Sequence, residues 1–190
     1  MNIPSTFSVP FQTSNFDYKY NPSDAKNTFK ISLKTNLINQ SPNSIERDLT
    51  KETKIVYALI VDDEYMIRNA MKRLITNQLS KEKNLEVVII EANDGIECLL
   101  AIYLANINQI KIDFVITDEN MNYINGTYSS EIIKTLIKSG KFQDIPIFMS
   151  TALGKNIVDS KPHIINKVFS KPMDKNSIRE LLMICGILNK

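Results

Sequence analysis

The sequence has little cysteine and histidine, almost no net charge and no long apolar run. Its 190 residues include two cysteines and one histidine, and the formal net charge at pH 7 is +2. So small a charge sets up no strong field that would attract nucleic acid. The longest apolar run, Ile55–Val61, is far too short to cross a bilayer. The N-terminus lacks the basic and apolar regions of a secretory signal. We therefore expect a cytoplasmic protein with no membrane segment and no nucleic-acid partner.

The few cysteines and the single histidine argue against a disulfide, a zinc site or a phosphorylated histidine. Cys98 and Cys185 lie far apart within apolar helical patterns, which favours buried free thiols in a reducing compartment. His163 lies between Pro162 and an apolar strand, and no helical histidine motif surrounds it. We therefore interpret His163 as a loop residue.

Composition divides the chain into two parts. With 43% hydrophobic and 23% charged residues, the length suits one domain with a core plus an extension. Residues 1–53 are rich in Asn, Ser, Thr and Pro, and their apolar residues show no sustained period. This predicts a largely disordered N-terminal arm or linker, although Thr28–Leu33 alternates as a short edge strand would. Residues 54–190 are predicted to form the globular domain.

Apolar runs alternate with helical patterns along the globular part. The predicted strands are Ile55–Val61, Leu85–Ile90, Ile112–Thr117, Ile145–Met149 and Ile164–Phe169. Because these strands are apolar on both faces, they indicate a parallel sheet covered by helices on both sides. The helix beginning at Asp94-Gly95 is predicted to carry one apolar face, formed by Ile96, Leu99, Leu100, Tyr103 and Leu104. The helix between Ala152 and Lys161 is predicted to be short or irregular.

Polar residues follow four of the five predicted strands. Asp62 and Asp63 follow the first strand, Asp118 the third, Thr151 the fourth and Lys171 the fifth. Taken singly, each is as easily a helix cap, a turn former or a solvated strand end. Taken together, they would meet at the carboxyl edge of a parallel sheet, where α/β proteins bind their ligands.

Three carboxylates in one crevice repel one another unless a cation joins them. Carboxylate oxygens with open water positions suit Mg²⁺, and no histidine or second catalytic base accompanies them. A metal therefore explains the aspartates better than general acid–base chemistry does. Lys171 supplies a point charge suited to a phosphoryl oxygen. Thr151, beside the small Ala152, supplies a hydroxyl without crowding the site.

In these motifs the chain resembles the receiver domain of two-component response regulators and hybrid histidine kinases. The matching motifs are Val61-Asp62-Asp63-Glu64, Glu91-Ala92-Asn93-Asp94-Gly95, Asp118 with Met121 and Gly126, Ser150-Thr151-Ala152, and Lys171-Pro172. They extend over the globular part, from about Tyr57 to Ile187. The resemblance implies an α/β, flavodoxin-like, doubly wound sheet of five parallel strands in the order 2-1-3-4-5, with helices on both faces.

The resemblance also implies a role for each site residue. Asp118 would be the phosphoacceptor, and Thr151 and Lys171 would contact the phosphoryl group. The implied Mg²⁺ site consists of Asp63 as a direct ligand, Asp62 acting through water or a hydrogen bond, Asp118, and the backbone carbonyl of Asn120. The Lys171-Pro172 peptide is expected to be cis, as in the family.

Three positions depart from the family pattern. Asn122 replaces the usual Pro, Asn125 replaces a frequent Asp, and Val168 occupies the usual aromatic switch position, with Phe169 one residue later. None of these positions contacts metal or phosphoryl in the family, so the implied phosphorylation chemistry is retained. The usual coupling through the fourth helix and fifth strand is not implied.

The expected function is that of a phosphorelay receiver and signalling switch. A histidine kinase or histidine phosphotransfer protein would donate a phosphoryl group to Asp118 with Mg²⁺, and the domain would catalyse its own phosphorylation and slow dephosphorylation. We expect no kinase domain in this chain, and the context of the receiver end of a hybrid histidine kinase or a stand-alone receiver. The main alternative is a degenerate receiver that serves only as a docking module. A phosphatase of the haloacid dehalogenase type ranks last, because Asp118-Glu119-Asn120 lacks the Asp-x-Asp pattern.

Overall fold

The computed structural model describes residues 53–152 and 163–189. Residues 1–52 of the predicted arm and residues 153–161 of the predicted fourth helix lie outside this range. The described strands are β1 (Lys54–Val61), β2 (Leu85–Ala92), β3 (Phe114–Thr117), β4 (Ile147–Thr151) and β5 (Lys167–Ser170). The described helices are α1 (Tyr65–Leu79), α2 (Gly95–Ile107), α3 (Gly126–Lys138) and α4 (Lys175–Ile184).

The five strands form one parallel sheet in the order β2-β1-β3-β4-β5. The predicted fold class and strand order are therefore confirmed. The order reverses between β1 and β3, which creates a crevice at the carboxyl ends of these strands. In this pairing Val61 lies opposite Thr117, so that Asp62 and Asp118 leave the sheet side by side. A hydrogen bond of 2.9 Å from Asp118 N to Val61 O fixes their relative position.

Each face of the sheet has its own apolar core. Val56, Ala58 and Ile60 of β1 pack on the side of α1 and α4, whereas Leu59 and Val61 pack on the side of α2 and α3. Alternate residues of a strand point to opposite faces, so a continuous apolar strand supplies both layers. Burial of each large apolar side chain contributes about 1.5–3 kcal/mol. The two cores together hold the strand ends rigidly at the crevice.

Three strands begin two or three residues later than their apolar runs predict: β3, β4 and β5. At the start of these runs, side-chain oxygens or a proline take the place of the backbone groups that would pair with the neighbouring strand. Asp113 Oδ2 accepts a hydrogen bond of 2.8 Å from Tyr57 N ahead of β3. Asn166 Oδ1 likewise accepts one of 2.8 Å from Ile147 N ahead of β5. Pro146 has no N–H to donate, and β4 begins directly after it. The apolar pattern of the sequence does not reveal where a side-chain oxygen or a proline interrupts the backbone hydrogen bonds of a strand.

The predicted apolar face of α2 does not face the core, so this part of the prediction is wrong. The buried residues are Gly95, Cys98, Ile102 and Ala105, whereas Ile96, Leu100 and Tyr103 are each 50–54% exposed. Gly95 determines this rotation, because a Cβ there would lie 2.7 Å from the carbonyl oxygen of Ile124. Gly95 must therefore face inward. Because α2 is apolar on two opposite sides, its apolar pattern alone does not identify the buried side.

The two thiols are free, as predicted, although only Cys98 is fully buried. Burial raises the pKa of both Cys98 and Cys185 to about 12, which disfavours the reactive thiolate. His163 is exposed in a turn ahead of β5, in agreement with its interpretation as a loop residue. Within residues 53–152 and 163–189, no helix has the length and apolar character needed to span a membrane.

Candidate functional site

Three aspartates meet at the crevice between β1 and β3. Asp62 and Asp63 follow β1, Asp118 follows β3, and one carboxylate oxygen from each lies within 4.8 Å of the others. Asp62 is fully buried, Asp118 is 6% exposed, and Asp63 is exposed. The structure therefore brings together the three predicted carboxylates, in a pocket that is closed on the Asp62 side and open on the Asp63 side.

Lys171 bridges two of these carboxylates. Its Nζ lies 2.7 Å from Asp62 Oδ2 and 2.8 Å from Asp118 Oδ2, and only 14% of its side chain is exposed. The backbone positions it: Lys171 N donates to Thr151 O at 3.0 Å, and the following bond to Pro172 is cis, as expected. Thr151 itself is 1% exposed at the end of β4. The ends of β4 and β5 thus place the predicted Thr151 and Lys171 beside each other.

Burial and ion pairing act in opposite directions on these groups. Burial raises the pKa of Asp62, and the hydrogen bond from Lys171 only partly offsets this effect. Burial also lowers the pKa of Lys171, but hydrogen bonds to Asp118 and Asp62 outweigh it, and the net shift is upward. Lys171 is therefore a cation at neutral pH, held between two acidic groups.

The turn from β1 to α1 fixes Asp62 through a residue that the sequence did not identify. Asp62 Oδ1 accepts from Glu64 N at 2.9 Å, and the buried Arg68 donates from Nη1 to the Asp62 carbonyl at 2.6 Å. Arg68 occupies the first position of the buried stripe of α1, three residues before Met71. A charged residue at an apolar stripe position was the available signal, because such a group requires a partner.

The loop from β3 to α3 holds Asp118 from the other side. Asp118 Oδ1 accepts from Glu119 N at 2.7 Å. The Glu119 carboxylate accepts in turn from the N–H of Thr127 at 2.8 Å and from its hydroxyl at 2.7 Å. Gly126 N closes the loop on Glu119 O at 3.2 Å. These bonds define the orientation of the Asp118 side chain before any ligand binds.

Gly126 packs directly on the backbone of Asp118, and we expect Gly126→Ala to destabilise the domain by about 1–3 kcal/mol. A Cβ at this position would lie 2.0 Å from the Asp118 carbonyl oxygen, so the backbone of the loop must shift. Urea unfolding measures the loss. Thr135→Ala, at an exposed position of the same helix, is the control and should change stability by less than about 0.5 kcal/mol. Equal stability of both variants would contradict the close packing.

The residues that depart from the family pattern have defined positions in the site. Asn122 Nδ2 donates to Asp63 Oδ2 at 3.3 Å. Asn125 caps α3, because its side chain accepts from Tyr128 N at 2.8 Å. Asn120, the predicted source of a carbonyl ligand, is exposed in the same loop. Asn122 therefore restrains the most exposed of the three carboxylates.

The donor set fits a divalent cation. The cluster has three carboxylates and one ammonium group, and a divalent ion would offset the excess of acidic groups. Carboxylate oxygens that include one exposed group match the preference of Mg²⁺ for oxygen ligands and retained water. Lys171 lies on the buried side of the cluster, and Asp63 lies on the side that is open to solvent.

Comparison with known proteins identifies the family and the fold of the chain. The family described as the response regulator receiver domain matches residues 58–183. A response regulator receiver domain protein from Clostridium thermocellum shares 20% identity, covers 68% of this chain and 93% of its own, and has a TM-score of 0.53.

The complex of CheX and CheY with BeF3 and Mg²⁺ from Borrelia burgdorferi gives a comparable match. It shares 21% identity, covers 68% of this chain and 88% of its own, and has a TM-score of 0.54. No curated protein matches the chain. Because the family match spans more than half of the sequence, the protein belongs to the response regulator receiver domains of two-component signalling.

Proposed function

We propose that Asp118 accepts a phosphoryl group from a phosphohistidine on a partner protein, and that the chain acts as a phosphorelay receiver and signalling switch. The observation that supports this most directly is the Lys171 ammonium group, which lies within 2.8 Å of the carboxylates of both Asp62 and Asp118. A buried cation at this point neutralises negative charge where an anionic phosphoryl group would approach. The donor is a histidine kinase or histidine phosphotransfer protein, and the proposed context is a cytoplasmic hybrid histidine kinase.

The transfer requires one bond to form and one to break. An oxygen of Asp118 attacks phosphorus, the new O–P bond forms as the N–P bond of phosphohistidine breaks, and the released imidazole nitrogen takes up a proton. Lys171 stabilises the charge on the phosphoryl oxygens, and the Thr151 hydroxyl donates to one of them. Because the Lys171 ammonium group already lies 2.8 Å from Asp118, it needs little reorganisation during transfer.

Receiver domains bind Mg²⁺ at an acidic pocket, and this chain offers a matching set of ligands. Asp63 would hold the ion directly, Asp62 would act through water or a hydrogen bond, and Asp118 and the Asn120 carbonyl would complete the protein ligands. The ion would neutralise charge on the transferred group and orient its oxygens. The bonds from Asn122 to Asp63 and from Glu64 to Asp62 keep these carboxylates in position.

The direct test is incubation of the full chain with Mg²⁺ and acetyl phosphate or phosphoramidate, followed by intact mass spectrometry. We expect the gain of one phosphoryl group, no gain when EDTA removes the metal, and slow loss after the donor is removed. A chain that never gains this mass under either donor would contradict the proposal. That result would favour a degenerate receiver used only for docking.

One observation keeps the docking alternative open. Val168 occupies the position of the usual switch aromatic, and the aromatic residue of β5, Phe169, lies on the opposite face of the sheet. There its ring packs 6.2 Å from that of Phe148. This chain therefore cannot transmit phosphorylation through a change in the orientation of an aromatic side chain at position 168.

An apolar groove beside Lys171 provides a surface for the phosphohistidine partner. The groove has a volume of about 370 Å³ and lies between α1 and the segment after β5, lined by Met66, Ala70, Leu74, Lys171 and Pro172 among others. Met66 is 73% exposed and Tyr65 is 62% exposed, and both lie in the first turn of α1, which is separated from Asp63 by Glu64 alone. A partner helix that packs here would present its histidine to Asp118.

We expect Met66→Asp to slow phosphoryl transfer from a phosphorylated histidine phosphotransfer domain by about tenfold or more. Loss of apolar contact and a new negative charge both weaken docking of the protein donor. The rate with acetyl phosphate should remain that of the parent, because a small donor needs no docking surface. Tyr103→Asp, on the opposite face of the sheet, is the control and should change neither rate. Equal slowing with both donors would show that Met66 acts on the site itself.

A further inference from the structure

Helix α2 exposes a continuous apolar stripe to solvent. The stripe consists of Ile96, Leu100, Tyr103 and Ile107, which are 43–54% exposed. Their spacing of four, three and four residues places them in one line along the helix. This line lies opposite the buried side formed by Cys98, Ile102 and Ala105. The helix is therefore apolar both toward the core and away from it.

A groove extends the stripe toward α3. It has a volume of about 390 Å³ and is lined mainly by apolar side chains, including Leu99, Tyr103, Leu136 and Phe142. A side of a helix that is apolar along its whole length is normally buried. Contiguous apolar patches on a protein surface mark interaction sites. The stripe and this groove together form one such patch, which we name the α2 face.

We propose that the α2 face binds the α2 face of a second copy of this chain, with the two helices antiparallel. The four residues of the stripe carry no charge, so the stripes of two copies can pack on each other without desolvating an ionic group. The exposed Glu97 lies at the N-terminal end of the stripe, whereas the exposed Lys111 and Lys141 line the grooves at its C-terminal end. Antiparallel packing brings the acidic end of each copy to the basic end of the other.

Symmetry favours the same arrangement. In a two-fold contact each residue pair occurs twice, so an attractive pair of ends is counted twice. Parallel packing would instead place Glu97 near Glu97 and Lys141 near Lys141 of the two copies, which is repulsive. The charge distribution therefore selects the antiparallel dimer.

The size of the face limits the affinity. A helix of 13 residues is about 20 Å long, so the contact is smaller than the roughly 800 Å² per partner of a standard stable interface. We therefore expect a weak dimer whose population rises with concentration. The face lies on the side of the sheet away from α1, and the crevice at Asp118 remains accessible in the dimer.

Sedimentation equilibrium of the full chain, from micromolar to millimolar concentration, tests the proposal. We expect a monomer–dimer equilibrium, and an association constant lowered about tenfold or more by Leu100→Asp. Ile107→Asp, at the other end of the stripe, should have a similar effect. Ile184→Asp is the control, because Ile184 is 48% exposed on α4, and it should associate as the parent does. Circular dichroism verifies that each variant is folded.

Mixing two variants tests the antiparallel arrangement. In that arrangement position 100 of one copy lies near position 103 of the other. Leu100→Glu and Tyr103→Lys should each dimerise poorly alone, and their equimolar mixture should form a heterodimer. A parent chain that stays monomeric at every concentration, or dimers that Leu100→Asp leaves intact, would overturn the proposed interface. Failure of the mixture to associate would overturn the antiparallel packing.

Discussion

Replacement of Asp118 by Asn is expected to abolish the gain of a phosphoryl group from acetyl phosphate. Asn has the same size but lacks the anionic oxygen that attacks phosphorus. Its amide oxygen can still accept the hydrogen bond that Glu119 N donates to Asp118 Oδ1 at 2.7 Å. Lys171 keeps Asp62 as a partner at 2.7 Å, so the buried cation is not left alone. The fold should therefore persist while the chemistry is lost, as measured by intact mass and thermal unfolding.

Asp144→Asn is the matched control for this variant. Asp144 is an exposed carboxylate that pairs with Lys134 at 3.0 Å, well away from the β1–β3 crevice. The control should gain the full phosphoryl mass. An Asp118→Asn chain that still gains it would assign the acceptor role to another carboxylate, with the neighbouring Asp62 and Asp63 as the first candidates. The proposed function and the acceptor residue are thus tested separately.

Much of the fold followed from apolar pattern and from family resemblance. Strands that are apolar on both faces require helices on both sides, and this requirement alone predicts a parallel sheet. The strand order came from the resemblance, because apolar runs contain no information on which strands are neighbours. Once the order is given, Val61 and Thr117 pair, and the residues that follow them must lie side by side. The carboxylates were therefore the most predictable part of the site.

Two features could not be predicted from the apolar pattern or the resemblance. They are the side of α2 that faces the core and the contact of Arg68 that holds Asp62. The inward face of α2 is determined by a close approach between Gly95 and Ile124, which lie far apart in sequence. Arg68 reaches the Asp62 carbonyl across the turn from β1 to α1. Each of these features depends on one close contact between two atoms in the folded chain. Side-chain periodicity describes only the average environment of a helix face.

The sequence also suggested only half of the role of Lys171. As a strand-end lysine it is predicted to contact a phosphoryl oxygen. In the structure it already makes two ion pairs, one with the fully buried Asp62 and one with Asp118. Such a residue contributes to the stability of the domain even without ligand. A substitution at this position should therefore be detected in unfolding experiments as well as in phosphorylation.

We expect Lys171→Met to lower the free energy of unfolding in EDTA by about 3 kcal/mol, because removal of one partner leaves buried carboxylates without a counter-charge. For a domain of this size the midpoint of thermal unfolding should fall by about 10 °C. Met preserves much of the apolar stem of the side chain, so the change reports mainly on charge. Addition of Mg²⁺ should restore more stability to the variant than to the parent, since the three carboxylates then lack any other cation.

Lys167→Met is the control that separates the effect of burying the ion pair from the effect of removing a positive charge. Lys167 pairs with Glu180, but the two side chains are 37% and 46% exposed, so their ion pair is largely screened by water. Loss of such a surface pair should cost at most about 1 kcal/mol. Both variants remove one lysine and leave the same net charge, and only Lys171 neutralises buried acids. Equal unfolding midpoints for the two variants in EDTA would show that Asp62 and Asp118 do not depend on Lys171, and the electrostatic account of the site would then be wrong.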